Sequence, residues 1–285
     1  MFNKILVCVD PYPPGDTLLS NVLSLKNCGA MEVILAYIFE ADTPGLDNML
    51  TAQARPELER QQRLLEESGF KVSMIIQKGV PAQALHGLAE THDVSLIVIG
   101  THCRGITETI ALGSISADLL HLTRRPVLLG RTTMPEKSVP YSSRDLFAHI
   151  LFPTDFSDTA EVAFTYLETM VSAMNCQATL LHVQDGTRLA QHLRHRLPAL
   201  QNLDKTRLQR LQLWLERSGT TKVEVEVIQG SPGDEVVMMA KAKDCSLILM
   251  GTQGKGITRE LLLGSVAHQV VRHAEQPVLL IPTPQ

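Results

Sequence analysis

The residues of this chain best suited to holding a ligand are glycines. Gly251-Thr252-Gln253-Gly254-Lys255-Gly256 sets three glycines in six positions directly after the apolar run ending Leu249-Met250, and Gly264-Ser265 follows Gly254 after nine intervening residues. Glycines let backbone N–H groups turn inward and bring the main chain close to a ligand, as phosphate binding requires. Gly264-Ser265 stands where a helix is expected to begin, and a helix amino terminus offers free N–H groups and a favourable dipole to an anion. Two convergent donor sets suit a di- or triphosphate. The competing reading is a glycine turn that merely carries the chain out of a strand.

Other chemistries find less support. Gly256 is followed by Ile257, so there is no G-x-x-x-x-G-K-[ST], and Gly254-Lys255-Gly256 runs on to Arg259, so there is no G-x-G-x-x-G. Neither G-x-S-x-G nor H-E-x-x-H occurs, which argues against a dedicated hydrolase and leaves no catalytic residue to assign. The five cysteines, Cys8, Cys28, Cys103, Cys176 and Cys245, are odd in number and never form C-x-x-C, so a disulfide scaffold or a zinc ribbon is not expected. Most of them read as buried small hydrophobes. From Arg188 to Arg217 basic residues outnumber acidic ones, which could serve a polyanion. Leu189, Leu193, Leu197, Leu200, Leu208, Leu211 and Leu215 nevertheless keep helical spacing, broken at Pro198, so a solvated face over a packed stripe is the better reading.

Elements must bring these glycines together, and their pattern occurs twice. Residues 79–130 align without gaps to 230–281, and 19 of the 52 positions are identical, far more than chance supplies. The matches include Gly79/Gly230, Pro81/Pro232, Asp93/Asp244, Gly100/Gly251, Gly113/Gly264 and Ser114/Ser265. The start of each half also corresponds, Ile5–Asp10 with Ile150–Asp155. A length of 285 residues is itself about two domains. The expected division is a first domain over 1–131, a polar, proline-containing linker over 132–146, and a second domain over 147–285. Within each half short apolar runs alternate with longer amphipathic stretches, the pattern of βαβ units feeding a parallel sheet buried on both faces. Strands are expected at 4–9, 32–38, 71–76, 95–99 and 127–129, then at 149–153, 178–183, 223–228, 246–250 and 278–281. Ser157 and Asp158 can cap a helix running to about Asn175, and Ser231-Pro232 can open one ending near Lys243. Right-handed crossovers then give two α/β domains, each an open five-stranded sheet whose ligand site lies beyond the carboxyl ends of strands one and four.

Charge and hydropathy limit the partners. Lys and Arg total 26 against 30 acidic residues, a net −4, which argues against wrapping nucleic acid. No apolar run approaches the ~18 residues that span a bilayer, and Met1-Phe2-Asn3-Lys4 leads straight into a strand, so the expectation is a cytoplasmic protein without a signal peptide or membrane partner.

With order and spacing in place, Gly251-x2-Gly254-x9-Gly264-Ser265 resembles the nucleotide-binding signature of the ATP-binding class of universal stress proteins, the UspA family. The flanking features agree: Asp155 in Phe152-Pro153-Thr154-Asp155-Phe156-Ser157-Asp158, the strand-two run Leu180-Leu181-His182-Val183, and a last strand led by Pro277. The resemblance covers nearly the whole chain twice, so it implies a tandem member, with two Rossmann-like domains of the adenine nucleotide alpha hydrolase kind. It also implies a stress-response regulatory protein that binds ATP, ADP or AMP, with Mg²⁺, and hydrolyses it slowly or not at all. By the same resemblance Asp155, with Thr154 beside it, lies by ribose and adenine, Val183 meets adenine through its backbone, and Met250 lines the base pocket. Gly251, Gly254, Gly264, Ser265 and Val266 then surround ribose and phosphates. Lys255 has two readings, a point charge on a phosphate or a solvated loop lysine. No protein metal ligand is implied.

The first half departs from this pattern. Asp10, Gly100, Gly113 and Ser114 correspond to nucleotide-site residues, but the middle glycine is replaced by Cys103, and Pro11-Tyr12-Pro13-Pro14 stands where the second half has Phe156-Ser157-Asp158. A Cβ at that glycine position is disfavoured, so nucleotide binding is expected in the second half above all. His102-Cys103 as a metal or redox pair is outweighed by a decayed loop, since no further ligands stand at suitable spacing. A scaffold that binds protein partners without nucleotide is the rival function. The resemblance further implies pairing of the last strands, so the two domains are expected to form an intramolecular pseudo-dimer, with a homodimer and a regulatory protein partner as further expectations.

Overall fold

Aliphatic runs too short for helices, punctuated by Gly, Pro and Asp, set the strands, and a computed structural model gives their arrangement. It describes residues 1–10, 16–41, 43, 45–102, 113–132, 145–174, 176–185, 197–219, 222–254 and 263–283. The chain divides into two compact units, Met1–Ser143 and Arg144–Gln285.

In the first unit β1 (Lys4–Cys8), β2 (Glu32–Phe39), β3 (Lys71–Lys78), β4 (Leu96–His102) and β5 (Val127–Thr132) run parallel in the order β3-β2-β1-β4-β5. Helices α1 (Asp16–Ser24), α2 (Leu46–Glu67), α3 (Pro81–Thr91) and α4 (Ser114–Leu122) are the crossovers. The second unit repeats the plan with β6 (His149–Pro153), β7 (Gln177–Gln184), β8 (Val223–Gln229), β9 (Leu247–Gly251) and β10 (Val278–Ile281), in the order β8-β7-β6-β9-β10. Its helices are α5 (Asp158–Met174), α6 (Leu197–Ser218), α7 (Pro232–Ala242) and α8 (Ser265–His273). In both sheets the first and fourth strands are neighbours, which is the switch point the sequence pattern predicts. Ile5, Leu6 and Val7 of β1, and Leu247, Ile248 and Leu249 of β9, are fully buried, as a sheet covered on both faces requires.

Local signals act as expected in the second unit. The Ser157 hydroxyl accepts the Ala160 N–H at 3.3 Å and caps α5, and Pro232 occupies the first turn of α7. Pro198, read as a break in a leucine stripe, instead lies in the first turn of α6; Leu208 and Leu215 beyond it are buried, and the preceding leucines Leu189 and Leu193 lie outside the described residues. Asp93 and Asp244 take left-handed φ values of 48° and 51° at matching turns, a conformation that Asp tolerates better than most residues.

Strand four of the first unit is a correction. The sequence pattern ends it at Ile99 and starts a loop at Gly100, but β4 continues to His102, because β5 extends to Thr132 and pairs Gly100 with Gly130 and Thr101 with Arg131. In the second unit Pro282 stands where the first has Arg131; lacking an N–H, it cannot continue the ladder, and β9 stops at Gly251. Of the segment assigned as linker, residues 133–144 lie outside the described residues.

Burial pushes the Cys8 thiol up to about 12, with the Asp10 charge adding to it, and burial likewise raises Cys176 to about 11 and Cys245 to about 12. Such thiols stay protonated and unreactive at neutral pH. His149 begins β6, at the end of the sheet away from the strand tips. Its Nδ1–H donates to the Lys243 carbonyl at 3.1 Å, and its Nε2 lies 2.8 Å from Thr179 Oγ1. Burial holds its pKa below the ordinary histidine value. The unfolded chain therefore binds a proton at higher pH than the folded one, so the stability tied to neutral His149 is present above about pH 6.5 and is lost as pH falls below it. Urea unfolding between pH 7.5 and 5.5 is expected to show a steeper loss in the native chain than in His149→Gln. Parallel slopes would sink this assignment.

Candidate functional site

Three strand ends and one helix start converge in the second unit. After β6 the chain makes a tight turn. Thr154 N–H donates to the Leu181 carbonyl at 2.9 Å, which fastens the turn to β7. Thr154 Oγ1 then accepts the Phe156 N–H at 3.0 Å, and Asp155 Oδ1 accepts the Ser157 N–H at 3.1 Å. Phe156 has φ 57°, a conformation that costs a bulky residue about 1–2 kcal/mol. Its ring is held on two sides: His182 lies 4.8 Å away, centroid to centroid, and the Arg207 guanidinium carbon sits 4.8 Å above it. His182 Nδ1–H also donates to the Thr154 carbonyl at 2.7 Å. Asp204 of α6 accepts the Gln184 side-chain amide at 2.7 Å and stands 3.5 Å from His182 Nε2. The turn carrying Asp155 is thus braced by β7 and α6.

The other side is built by the ends of β9 and α8. Thr252 N–H donates to the Ile281 carbonyl at 2.8 Å, and Gly264 N–H donates to the Thr252 carbonyl at 2.7 Å. The chain leaving β9 therefore meets the chain entering α8. No side chain caps α8, so its first N–H groups stay available to a ligand. Gly251 is required by packing: a Cβ there would lie 2.8 Å from Thr159 Cγ2 and 3.3 Å from the Thr159 backbone. Gly254 backs onto Asp155, since a Cβ there would come within 2.5 Å of Asp155 Oδ2. This differs from a glycine needed to admit phosphate: the direction its missing side chain would take is filled by the carboxylate.

Between these walls lies a cavity of about 560 Å³. Thr154 and Asp155 line it from the turn after β6 and Val183 from β7; Met250 and Gly251 from β9 and Gly254 just beyond it; Gly264, Ser265 and Val266 from the start of α8. All nine of the second-unit residues singled out by sequence that fall within the described residues therefore share one cavity, while Lys255 lies outside the described residues. Sequence reading missed Asp185, one residue beyond β7, together with Pro232 and Val236 of α7, which also line it. Asp204 carried no motif signal, and Phe156 stood within the run Phe152–Asp158 without a bracing role assigned to it. Among the described residues there is no group of three or more His, Cys, Asp or Glu side chains able to hold a metal ion.

The first unit keeps part of this arrangement. Asp10 follows β1 at the position of Asp155, and Gly113 and Ser114 begin α4, which also has no side-chain cap. Gly100 lies inside β4, where its carbonyl accepts the Ser116 hydroxyl at 3.3 Å. Arg131 is buried at the end of β5, its Nη1 3.4 Å from Thr101 Oγ1, a charge with no equivalent at Pro282. Cys103 and Pro11 to Pro14 lie outside the described residues. Among the described residues of both units no helix is long and apolar enough to cross a membrane.

Comparison with known proteins agrees with the repeat. A profile of the universal stress protein family matches residues 1–131 and again 147–282. A universal stress protein of Methanocaldococcus jannaschii is 29% identical over 155 residues, covering 48% of this chain and 95% of the relative. One from Mycolicibacterium smegmatis is 26% identical over 234 residues, covering 80% of this chain and 76% of the relative. Among solved structures, a universal stress protein from Archaeoglobus fulgidus superposes with a TM-score of 0.75 over 100% of both chains at 21% identity, a likeness of fold.

Proposed function

The chain belongs to the universal stress protein family, as two copies of its domain, and from that premise we propose that the second unit binds an adenine nucleotide, ATP or its di- or monophosphate, as a regulatory ligand in a cytoplasmic stress response. The observation that carries this reading is the single cavity in which the glycine loop, the α8 amino terminus and Asp155 meet. Its volume of about 560 Å³ falls within the range of small-molecule and cofactor sites, roughly 300–1,000 Å³. The chemistry of its lining fits the ligand. Backbone donors at the start of α8 suit phosphates, the Asp155 carboxylate suits ribose hydroxyls, and Leu181, Val183, Val236 and Met250 suit a flat base. Mg²⁺ would travel on the nucleotide's own phosphates, with the protein holding the anion.

Slow or absent turnover belongs to the same proposal. Phosphoryl transfer needs a positioned nucleophile and stabilisers of the transferring group, and among the described residues the cavity lining offers backbone donors without such a set. The nucleotide then acts by occupancy, altering the shape or the partner contacts of the unit that holds it.

The test is to count nucleotide per chain, by mass spectrometry of the material released on denaturation and by calorimetric titration with Mg-ATP. One nucleotide per chain is expected. Two would extend binding to the first unit, and none in both measurements would overturn the proposal in favour of a scaffold that uses the fold without a nucleotide.

A further inference from the structure

Asp185 is a carboxylate in the cavity wall that neither the glycine loop nor the strand-one turn accounts for. Its place follows from the sheet. The backbone donors for phosphate stand at the start of α8, beside the end of β9, Asp155 just beyond β6, and Val183 and Asp185 at the end of β7, so these groups succeed one another across neighbouring strands in the order β9-β6-β7. Strands lie about 4.8 Å apart, so two spacings span roughly 10 Å, the reach of a nucleoside monophosphate from phosphate to base. A nucleotide anchored by its phosphates at α8, with its ribose by Asp155, therefore brings its base to β7. There Leu181 and Val183 offer apolar walls, Pro232 and Val236 of α7 add a third, and Asp185 adds a charged group, the one beyond Asp155 among the described residues of the lining.

We propose that Asp185 selects the base, by accepting a hydrogen bond from an exocyclic amino group on its edge. This rests on the nucleotide reading above and deepens it. An ionised carboxylate only accepts hydrogen bonds. It rewards an amino edge, as adenine presents, and opposes a carbonyl at the same ring position, where two acceptors would face each other in a partly desolvated site. Base choice is then written in a side chain, in addition to whatever the β7 backbone reads.

The test compares ATP with inosine triphosphate, which carry the same triphosphate and ribose and differ at ring position 6, amino in one and oxo in the other. Calorimetric titration of the full chain is expected to give ATP the tighter binding by about 10- to 100-fold. In Asp185→Asn, whose amide can present either a donor or an acceptor, the ratio is expected to fall to within about threefold. Asp185→Ser, which also removes the charge, should behave alike and guards against a folding defect peculiar to one variant. Taking the ratio cancels any general effect of the lost negative charge on phosphate affinity, because both ligands carry the same phosphates. Equal binding of the two nucleotides by the native chain, or an unchanged ratio in both variants, overturns the inference while leaving the nucleotide reading in place. Binding of neither nucleotide by the native chain overturns both.

Discussion

Replacing Gly254 with valine is expected to weaken Mg-ATP binding at least about 100-fold, or ~2.7 kcal/mol, while the circular dichroism spectrum stays that of the native fold. The reason is local crowding. A Cβ at 254 would stand 2.5 Å from Asp155 Oδ2, closer than real Cβ contacts come, with the carboxylate carbon 3.4 Å away. Gly254 has no left-handed φ, so the requirement is for space. The carboxylate is not free to swing aside without loss, since its Oδ1 holds the Ser157 N–H in the turn that leads into α5. A larger residue must push either Asp155 or the glycine loop, and both line the cavity. A double-mutant cycle separates the two routes. If the damage passes through Asp155, Gly254→Ala costs affinity in the native background and little more once Asp155 is already alanine. Losses that simply add would mean that residue 254 meets the ligand directly and that its contact with Asp155 is incidental.

How far the sequence foretold this site depends on the range over which each residue acts. The ten strands were legible because the chain states its pattern twice and because buried parallel strands read as short apolar runs between punctuating turns. The glycines, Ser265 and Asp155 stood out through residue type and spacing, yet Gly251 and Gly254 are held to glycine by space against Thr159 and Asp155, which spacing does not announce. Strand four of the first unit was not, since its extension to His102 depends on how far β5 can pair with it, and that turns on Arg131 where the second half has Pro282. Phe156 offers a further limit. A phenylalanine at positive φ has no sequence signature, and here it rests on His182 and Arg207, the second of which comes from a helix 51 positions along the chain. Asp204 and Asp185 are likewise ordinary acidic residues until the fold sets one against His182 and Gln184 and the other in the cavity wall. Local chemistry was therefore readable, and the tertiary bracing that aims it was not.

That bracing has a measurable consequence at the root of the site. Phe152 is wholly buried in β6, two residues before Thr154, and its ring meets Phe164 of α5 edge-on at 5.8 Å and 63°. Phe152→Ala removes this contact and leaves a cavity under the strand that positions Asp155. Such truncations cost about 3–5 kcal/mol, a large part of the roughly 5–15 kcal/mol that holds an ordinary domain folded. For a unit of this size the melting transition is expected to drop by about 10 °C or more. Because the nucleotide would bind the folded unit alone, Mg-ATP at about 100 times its dissociation constant should restore ~2.7 kcal/mol, most of the loss at the lower end of that range. Scanning calorimetry with and without Mg-ATP reads both effects. A drop below about 3 °C would mean that Phe152 does not anchor the core. A full drop without recovery, in a variant still shown to bind ATP, would mean that the nucleotide does not depend on the part of the fold β6 organises.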